Sequence, residues 1–315
     1  MRNSLEVIGL EDQGVIRARG PDAVRFLQGQ LSNDVSKLSA GQSLLAGYHN
    51  PQGRTIALLR LVLWEADDIL AIVPRELAGS VSARIGKFVL RAKVTVTDES
   101  STWRLTGVVG DTPPVAVTRA VSVPVGGSRW LMISPTETDP LPSATPADRA
   151  TWERLEVAAG QPQVYAATSE EFVAQMLNLD AVNAIAFDKG CYTGQEVIAR
   201  AHYRGRVKRR MQRFVSRGNC ELKPGDSGQL VDGRTFKVVR AAQLADGRCD
   251  FLAVAPLPAA LAEPPGPGES SAPRESPPSA ESSTSNAPPV VAEASASGAA
   301  PIAADPAPVP YALPE

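Results

Sequence analysis

The sequence predicts an α+β protein that ends in a small antiparallel β-barrel or sandwich, and three observations support this. Strand-like stretches alternate with amphipathic helical stretches and hairpins up to residue 204. Beyond Val207, short alternating apolar stretches are joined by Asp-Gly turns, which is typical of antiparallel strands. From 263 to 308 the chain is rich in Pro, Ser and Ala and has no aromatic residue, so we expect disorder there.

The first hundred residues contain a hairpin and two helices. Stretches 44–49 and 54–64 form the hairpin, with Pro51 and Gly53 in its turn. A helix over 74–90 is predicted because apolar residues recur at about every fourth position. We also predict an earlier helix over 22–31 and strands over 15–19, 69–73, 93–97 and 103–109.

The later half begins with weak patterning and then gains clear elements. A helix over 147–159 is predicted before Gly160 and Pro162, two residues that end helices. Strands are predicted over 129–134, 207–215, 229–231, 235–241 and 249–255. No glycine-rich phosphate motif joins a strand to a helix, so we do not expect nucleotide binding of the P-loop or Rossmann kind.

Composition limits the possible partners and compartment. The 315 residues carry a net charge of -2, which gives no bulk attraction to nucleic acid or membrane. Cys191, Cys220 and Cys249 are far apart and form no C-x-x-C or Cys/His cluster, so we expect neither a structural zinc site nor a disulfide framework. No apolar run is long enough to span a bilayer. We expect a cytoplasmic monomer.

The most informative stretch runs from 188 to 203. Thr193 and Glu196 stand three apart before an apolar pair, which is the pattern of a capping box and predicts a short helix over 193–201. Cys191 lies two residues before this start, where the positive end of the helix dipole favours an anion.

Two neighbours of Cys191 strengthen this interpretation. Lys189 adds a positive charge, and both effects favour the thiolate, the nucleophilic and metal-binding form of cysteine. Gly190 allows the chain a sharp turn before the cysteine. The alternative is that Cys191 is a small apolar residue buried under a helix end. His202 would lie near the opposite end of the helix, so a Cys/His dyad is not expected.

The run Lys189-Gly190-Cys191-Tyr192-Thr193-Gly194-Gln195-Glu196 resembles the signature of the YgfZ-type folate-binding proteins, which are relatives of the aminomethyltransferase (T-protein) of the glycine cleavage system. The basic run 204–210 and the run 28–35 extend the resemblance, which covers about 8–255 and is densest at 20–35 and 178–211.

The resemblance implies an architecture. Two α+β lobes, about 1–100 and 101–204, would form a T-protein-like folate-binding domain around a central pocket. A β-barrel domain over 205–262 and a disordered tail over 263–308 would follow. Relatives often end in a Pro-Tyr-x-Leu segment like the one in 309–315. This segment either docks back onto the barrel or is loose with the tail, and the sequence leaves both open.

The resemblance also implies a function, which is folate-linked assembly or repair of iron–sulfur proteins, with indirect effects on tRNA modification. Cys191 would be the working thiolate and Lys189 would support it. Tetrahydrofolate would be the cofactor, and the partners of the protein would be iron–sulfur enzymes or assembly proteins. The implied folate-binding residues are Trp152, Gly190, Tyr192, Gln195, Glu196 and Arg200. The tryptophan face would stack on the heterocycle, unless Trp152 is ordinary core.

Two positions depart from the aminomethyltransferase pattern. Ala158 stands where the relatives have a pocket glutamate, although Glu156 could substitute. Ala57 stands where aminomethyltransferases have an aspartate, as in YgfZ-type proteins, which disfavours a tetrahydrofolate-dependent one-carbon transferase.

A third class of function is RNA binding. Seven cationic residues and no acid occur between Arg200 and Arg213, and this basic strip could attract tRNA or the glutamate tail of folate. The cationic residues are Arg200, Arg204, Arg206, Lys208, Arg209, Arg210 and Arg213. Tyr203 is the one aromatic residue among them, which gives weak support for base stacking. A solvated strand face is the alternative.

Overall fold

Three five-stranded sheets and four α-helices form the framework of the part of the chain that the structure describes. The structure is a computed structural model, and it describes residues 5–115, 119–138, 141, 143–205, 207–258 and 301–313. The helices are α1 (Ala23–Gln28), α2 (Arg75–Gly86), α3 (Arg149–Ala158) and α4 (Gln195–Arg204). Within those ranges, no helix is long and apolar enough to cross a membrane.

Fifteen strands lie in the described residues. The first ten are β1 (Glu6–Gly9), β2 (Gln13–Arg19), β3 (Ser43–His49), β4 (Thr55–Glu65), β5 (Asp68–Pro74), β6 (Thr95–Asp98), β7 (Trp103–Val109), β8 (Val121–Pro124), β9 (Arg129–Pro135) and β10 (Thr145–Pro146). The last five are β11 (Arg209–Ser216), β12 (Ser227–Gln229), β13 (Thr235–Gln243), β14 (Cys249–Pro256) and β15 (Ala304–Ala307). The α+β class predicted from the sequence is confirmed.

The central sheet is antiparallel, with strand order β3-β4-β5-β2-β6, and it is covered on both faces. All seven residues of β5 are buried, and the six that follow Asp68 are apolar, so the strand does not alternate. Helix α2 covers one face through Leu77, Val81 and Ile85, which recur at every fourth position as predicted. The helix ends at Gly86, four residues before the predicted end.

The second sheet, in order β10-β1-β7-β9-β8, packs on the other face of the central sheet. Their shared core joins Val62 and Leu70 of the central sheet to Leu105 and Leu131 of the second. Trp152 of α3 belongs to the same core. Helix α3 begins after Asp148, whose carboxylate accepts a hydrogen bond from the amide of Thr151 and so caps the helix.

The third sheet has the order β12-β13-β14-β11-β15. Its core contains Phe214, Phe236 and Phe251. The described strands do not close into a ring, and a single bridge from Leu230 to Ile302 is the one pairing between the two ends of the sheet. The predicted barrel is therefore not confirmed.

Strand β15 corrects the predicted extent of the disordered tail. Residues 304–307 pair antiparallel with β11, from Arg213 opposite Ala307 to Ser216 opposite Ala304. Without β15, the edge of β11 would have unpaired backbone groups, and β15 supplies their hydrogen-bond partners. The pairing does not depend on side-chain pattern, so the composition of a Pro- and Ala-rich stretch does not predict it. The rest of the predicted tail, 263–300, lies outside the described residues. Beyond the strand, the Tyr311 hydroxyl donates to the carbonyl of Gly160 at 2.8 Å.

Candidate functional site

Helix α4 begins after Gly194, and the predicted capping box is wrong. Gly194 is the N-cap in a left-handed conformation with φ of +82°, and no side chain caps the helix. A Cβ on Gly194 would lie 2.6 Å from the carbonyl oxygen of Asn50, so a glycine is needed where the loop meets the hairpin turn. Gly190, to which the sequence assigns the sharp turn, has no positive φ and has open space around it.

Lys189 fastens the loop before α4 to the C-terminal end of α1. Its Nζ donates to the carbonyl oxygens of Gln28 at 2.7 Å, Leu31 at 2.5 Å and Asn33 at 2.9 Å. An ammonium group has three protons, so none is left for a hydrogen bond to Cys191. Burial lowers the pKa of Lys189 to about 8, against the opposing charge of Asp34. Lys189 therefore has an anchoring role in addition to any effect of its charge on the thiol.

Cys191 is exposed and is not part of a disulfide. The interpretation of Cys191 as an apolar residue buried under a helix end is therefore wrong. The other cysteines are less accessible: Cys220 is half-buried, and the Cys249 thiol is buried and donates to the Cys220 carbonyl at 2.9 Å. Burial raises the pKa of Cys249 to about 12. Across the described ranges, no group of three or more His, Cys, Asp or Glu side chains is placed to hold a metal ion.

Tyr192 is buried beneath the loop and packs near a buried histidine. The Lys189 ammonium lies 5.1 Å from the centre of the Tyr192 ring, and the His49 ring lies 6.3 Å from it. Burial raises the pKa of Tyr192 to about 12 and lowers the pKa of His49 to about 3, so both side chains are neutral near pH 7. Neither ring nitrogen of His49 has a hydrogen-bond partner in the described part of the chain.

An aromatic cluster lies at the C-terminal end of α4, and we define it as Phe187, which precedes the helix, with His202 and Tyr203 of the helix. The Phe187 and His202 rings stack with centroids 3.8 Å apart and planes 15° apart, and Tyr203 meets both edge-on. Tyr203 is 68% exposed. Glu196 and Arg200, both predicted to bind folate, are exposed on the same helix. Sequence reasoning missed Phe187 because it precedes the basic strip.

The predicted basic strip is not one surface, because some of its arginines point inward. Arg210 is 4% exposed and forms an ion pair with Asp180 at 2.9 Å. Arg213 forms an ion pair with Asp250 at 2.7 Å. Arg206 lies outside the described residues. The cations of the strip that remain exposed are Arg200, Arg204 and Lys208.

A central cavity of about 50 Å³ lies where α3 meets β4 and β13. Trp152 and Glu156, one helical turn apart, line it from α3, Arg60 lines it from β4 and Arg240 lines it from β13. No residue of 187–204 lines this cavity. The predicted folate-binding residues therefore separate, with Trp152 at the central cavity and the others on or before α4.

Two arginines hold the Glu156 carboxylate. Arg129 donates to its Oε1, and Arg240 donates to its Oε2 at 2.6 Å. Burial raises the pKa of Glu156, but the charges of Arg240 and Arg129 outweigh it, so the pKa falls below the usual range and the group is ionised. Arg240 also forms an ion pair with Glu153 at 3.0 Å. A β-bulge next to Arg240 in β13 accompanies its inward orientation.

The central cavity does not fit the pterin ring of a folate as it stands. Pockets for ligands of that class are about 300–1,000 Å³, and this cavity has about 50 Å³. Both oxygens of Glu156 are bound by arginines, and Ala158 supplies none. Trp152 is 5% exposed, and a Cβ on Gly107 would lie 2.5 Å from its ring, so the ring is packed into the core.

The three arginines of this region, Arg60, Arg129 and Arg240, were not singled out from the sequence. A signal was present for two of them. Arg60 interrupts an apolar run in β4, and Arg240 follows two valines in β13. A single charged residue inside a buried strand is rare unless it is paired with another group there.

Comparison with known proteins gives sequence relatives and a structural neighbour. No protein-family model matches the chain. An uncharacterised protein of Haemophilus influenzae is 34% identical, covering 71% of this chain and 79% of that protein. Two further relatives are named tRNA-modifying protein YgfZ. The one from Serratia proteamaculans is 30% identical, covering 77% of this chain and 82% of that protein. The one from Cronobacter sakazakii is 31% identical, covering 78% of this chain and 83% of that protein.

One structural neighbour is the aminomethyltransferase T of the glycine cleavage system from Bartonella henselae. It superposes with a TM-score of 0.63 at 15% identity, covering 81% of this chain and 79% of the neighbour. At this identity the likeness establishes the fold alone, and it agrees with the T-protein-like arrangement that the sequence predicts.

Proposed function

The chain belongs to the YgfZ family, and from this premise we propose that it supports the assembly or repair of iron–sulfur cluster proteins, with Cys191 as its working thiolate. The relatives are named tRNA-modifying proteins. We infer that any effect of this chain on tRNA modification is indirect and passes through iron–sulfur enzymes. The single observation that carries the proposal is the exposure of Cys191 on a loop that is fastened at both ends.

The fastening of the loop supports a role in which one sulfur meets a docked molecule. Lys189 holds the loop to α1 on one side of Cys191, and Tyr192 is buried on the other. Gly194 then meets the hairpin turn at Asn50, where α4 begins. The N-terminal end of a helix favours nearby negative charge, which helps a thiolate. The sulfur would act as nucleophile or ligand toward a cluster that is cargo of the reaction.

The test replaces each accessible cysteine in turn. Cys191→Ser and the matched control Cys220→Ser are introduced into a strain that lacks its own YgfZ-family protein, and the activity of an iron–sulfur-dependent tRNA modification is measured. We expect Cys191→Ser to abolish function with an unchanged melting temperature, and Cys220→Ser to retain it. Full complementation by Cys191→Ser would refute the proposal.

Tetrahydrofolate has no part in the proposed step, because the central cavity does not fit a pterin ring as it stands. A one-carbon transferase is also disfavoured at the hairpin. Ala57, at the position of the aminomethyltransferase aspartate, is fully buried in β4 opposite Tyr48. An alanine there supplies no general acid or base. If the protein turned over any tetrahydrofolate donor, the one-carbon transferase would be favoured over the proposed function.

The aromatic cluster favours RNA binding as a second candidate. Three rings at the end of α4 lie beside exposed Arg200 and Arg204, and this combines a stacking surface with cations. If tRNA binds there, its affinity should fall steeply with salt, with a slope of about -2 to -3 in log units for two or three phosphate contacts. Tyr203→Ala should weaken binding about tenfold through lost stacking. If the affinity for tRNA changes neither with salt nor in Tyr203→Ala, this candidate is eliminated.

A further inference from the structure

Arg60 lines the central cavity and has no carboxylate partner among the described residues. Its one hydrogen bond runs from Nη1 to the hydroxyl of Ser43 at 3.1 Å. A guanidinium has five N–H donors in a planar fork, so most of this capacity is unused. Arg60 stands between buried Leu59 and Leu61 in β4, is itself half-buried, and lines the cavity.

The charges around Arg60 do not neutralise it. Glu156 is the one carboxylate that lines the cavity, and Arg129 and Arg240 already hold both its oxygens. Burial, together with the like charges of Arg129 and Arg240, lowers the pKa of Arg60 to about 10 despite the opposing charge of Glu156. A half-buried cation without its own counter-charge is unfavourable, and an anion placed beside it relieves the imbalance.

We propose that the central cavity binds a short-chain carboxylate, of the size of formate or acetate, against the Arg60 guanidinium. The volume sets the size, because about 50 Å³ holds about four water-sized atoms at roughly 12 Å³ each. The planar fork sets the class, because a carboxylate can accept two parallel hydrogen bonds from a guanidinium. This site is separate from Cys191 and does not rest on the proposed function.

A second cavity lies next to the central one, on the side of the second sheet. This larger cavity of about 410 Å³ shares Leu10 and Gln13 with the central one, so these two side chains form a common wall. Arg75 and Arg104 line the larger cavity together with Glu11. The cations outnumber the acid there, so the potential on that side of the wall favours an anion.

The first experiment measures the melting temperature with sodium acetate against sodium chloride at equal ionic strength. With a Kd of about 5 mM, about 50 mM acetate should raise the melting temperature of the native protein by about 3 °C over chloride. The shift should vanish in Arg60→Met and persist in the matched control Arg25→Met, which removes an exposed arginine of α1. The proposal would be overturned if acetate raised the melting temperature of Arg60→Met as much as that of the native protein. It would also be overturned if the native protein melted at the same temperature in chloride and in acetate.

A second measurement covers the case in which Arg60→Met does not fold. Titration calorimetry of the native protein with acetate should show one site, and Arg60→Lys should weaken it about tenfold because an ammonium lacks the fork. If titration of the native protein with acetate gives no heat of binding, the proposal is overturned. Tetrahydrofolate that displaces acetate from the native protein also overturns it, since the cavity would then admit a pterin. Cys191→Ser should leave the acetate affinity unchanged, so this test and the complementation test fail independently.

Discussion

Replacement of Lys189 by methionine tests whether the loop that carries Cys191 is held by the ammonium. The change keeps an unbranched side chain, one atom shorter, and removes its three hydrogen bonds to backbone carbonyls. A hydrogen bond from a charged donor contributes about 1.5–3 kcal/mol at best, and partial burial of the charge opposes it. At about 1 kcal/mol net for each bond, Lys189→Met should lower the free energy of unfolding by about 3 kcal/mol.

Urea denaturation measures this loss, with Lys37→Met as the matched control. Lys37 lies nearby and pairs with Asp34 and Asp188 on the surface, and its side chain is 64% exposed. Exposed pairs contribute about 0–1 kcal/mol, so the control should change little. Hydrogen exchange over 187–194 should also accelerate in Lys189→Met. If its stability stays within about 0.5 kcal/mol of the native protein, the anchoring role is wrong.

Two further predictions concern a buried ring and a turn. His49 has a folded pKa of about 3, against 6.5 when unfolded, so the unfolded state binds more protons between these values and stability falls as the pH falls. The loss from this residue should be about 2 kcal/mol by pH 5, absent in His49→Met and retained in His202→Gln, as measured by urea denaturation at each pH. Gly194→Ala should cost about 2 kcal/mol or more because it meets the Asn50 carbonyl at a positive φ, whereas Gly190→Ala should be neutral within about 0.5 kcal/mol. An equal loss in the two alanine variants, or a pH profile unchanged in His49→Met, would contradict these assignments.

The elements that were predicted correctly depend on neighbours close in sequence. The apolar spacing of Leu77, Val81 and Ile85 identified α2, because a helix places such residues on one face without help from the rest of the chain. The hairpin around Gly53 was found for a similar reason, since turn chemistry is local. The class of the fold followed from these local patterns.

The errors come from partners that are distant in sequence. The start of α4 was misplaced because the need for glycine at 194 comes from the Asn50 carbonyl in another part of the chain. Arg210 was assigned to an outer face because Asp180, its buried partner, lies 30 residues earlier. The free cation at Arg60 is likewise a property of the assembled core, although its place within an apolar strand was visible.

The partnership of β15 with β11 affects the order in which the protein can mature during translation. Arg217, just after β11, pairs with Asp305, 88 residues later. Ribosomes add about 5–20 residues per second, so the outer edge of β11 is synthesised about 4 to 18 seconds before the strand that covers it. Throughout that interval the nascent chain presents an open strand edge to other proteins, and a chaperone or a neighbouring polypeptide has time to reach it.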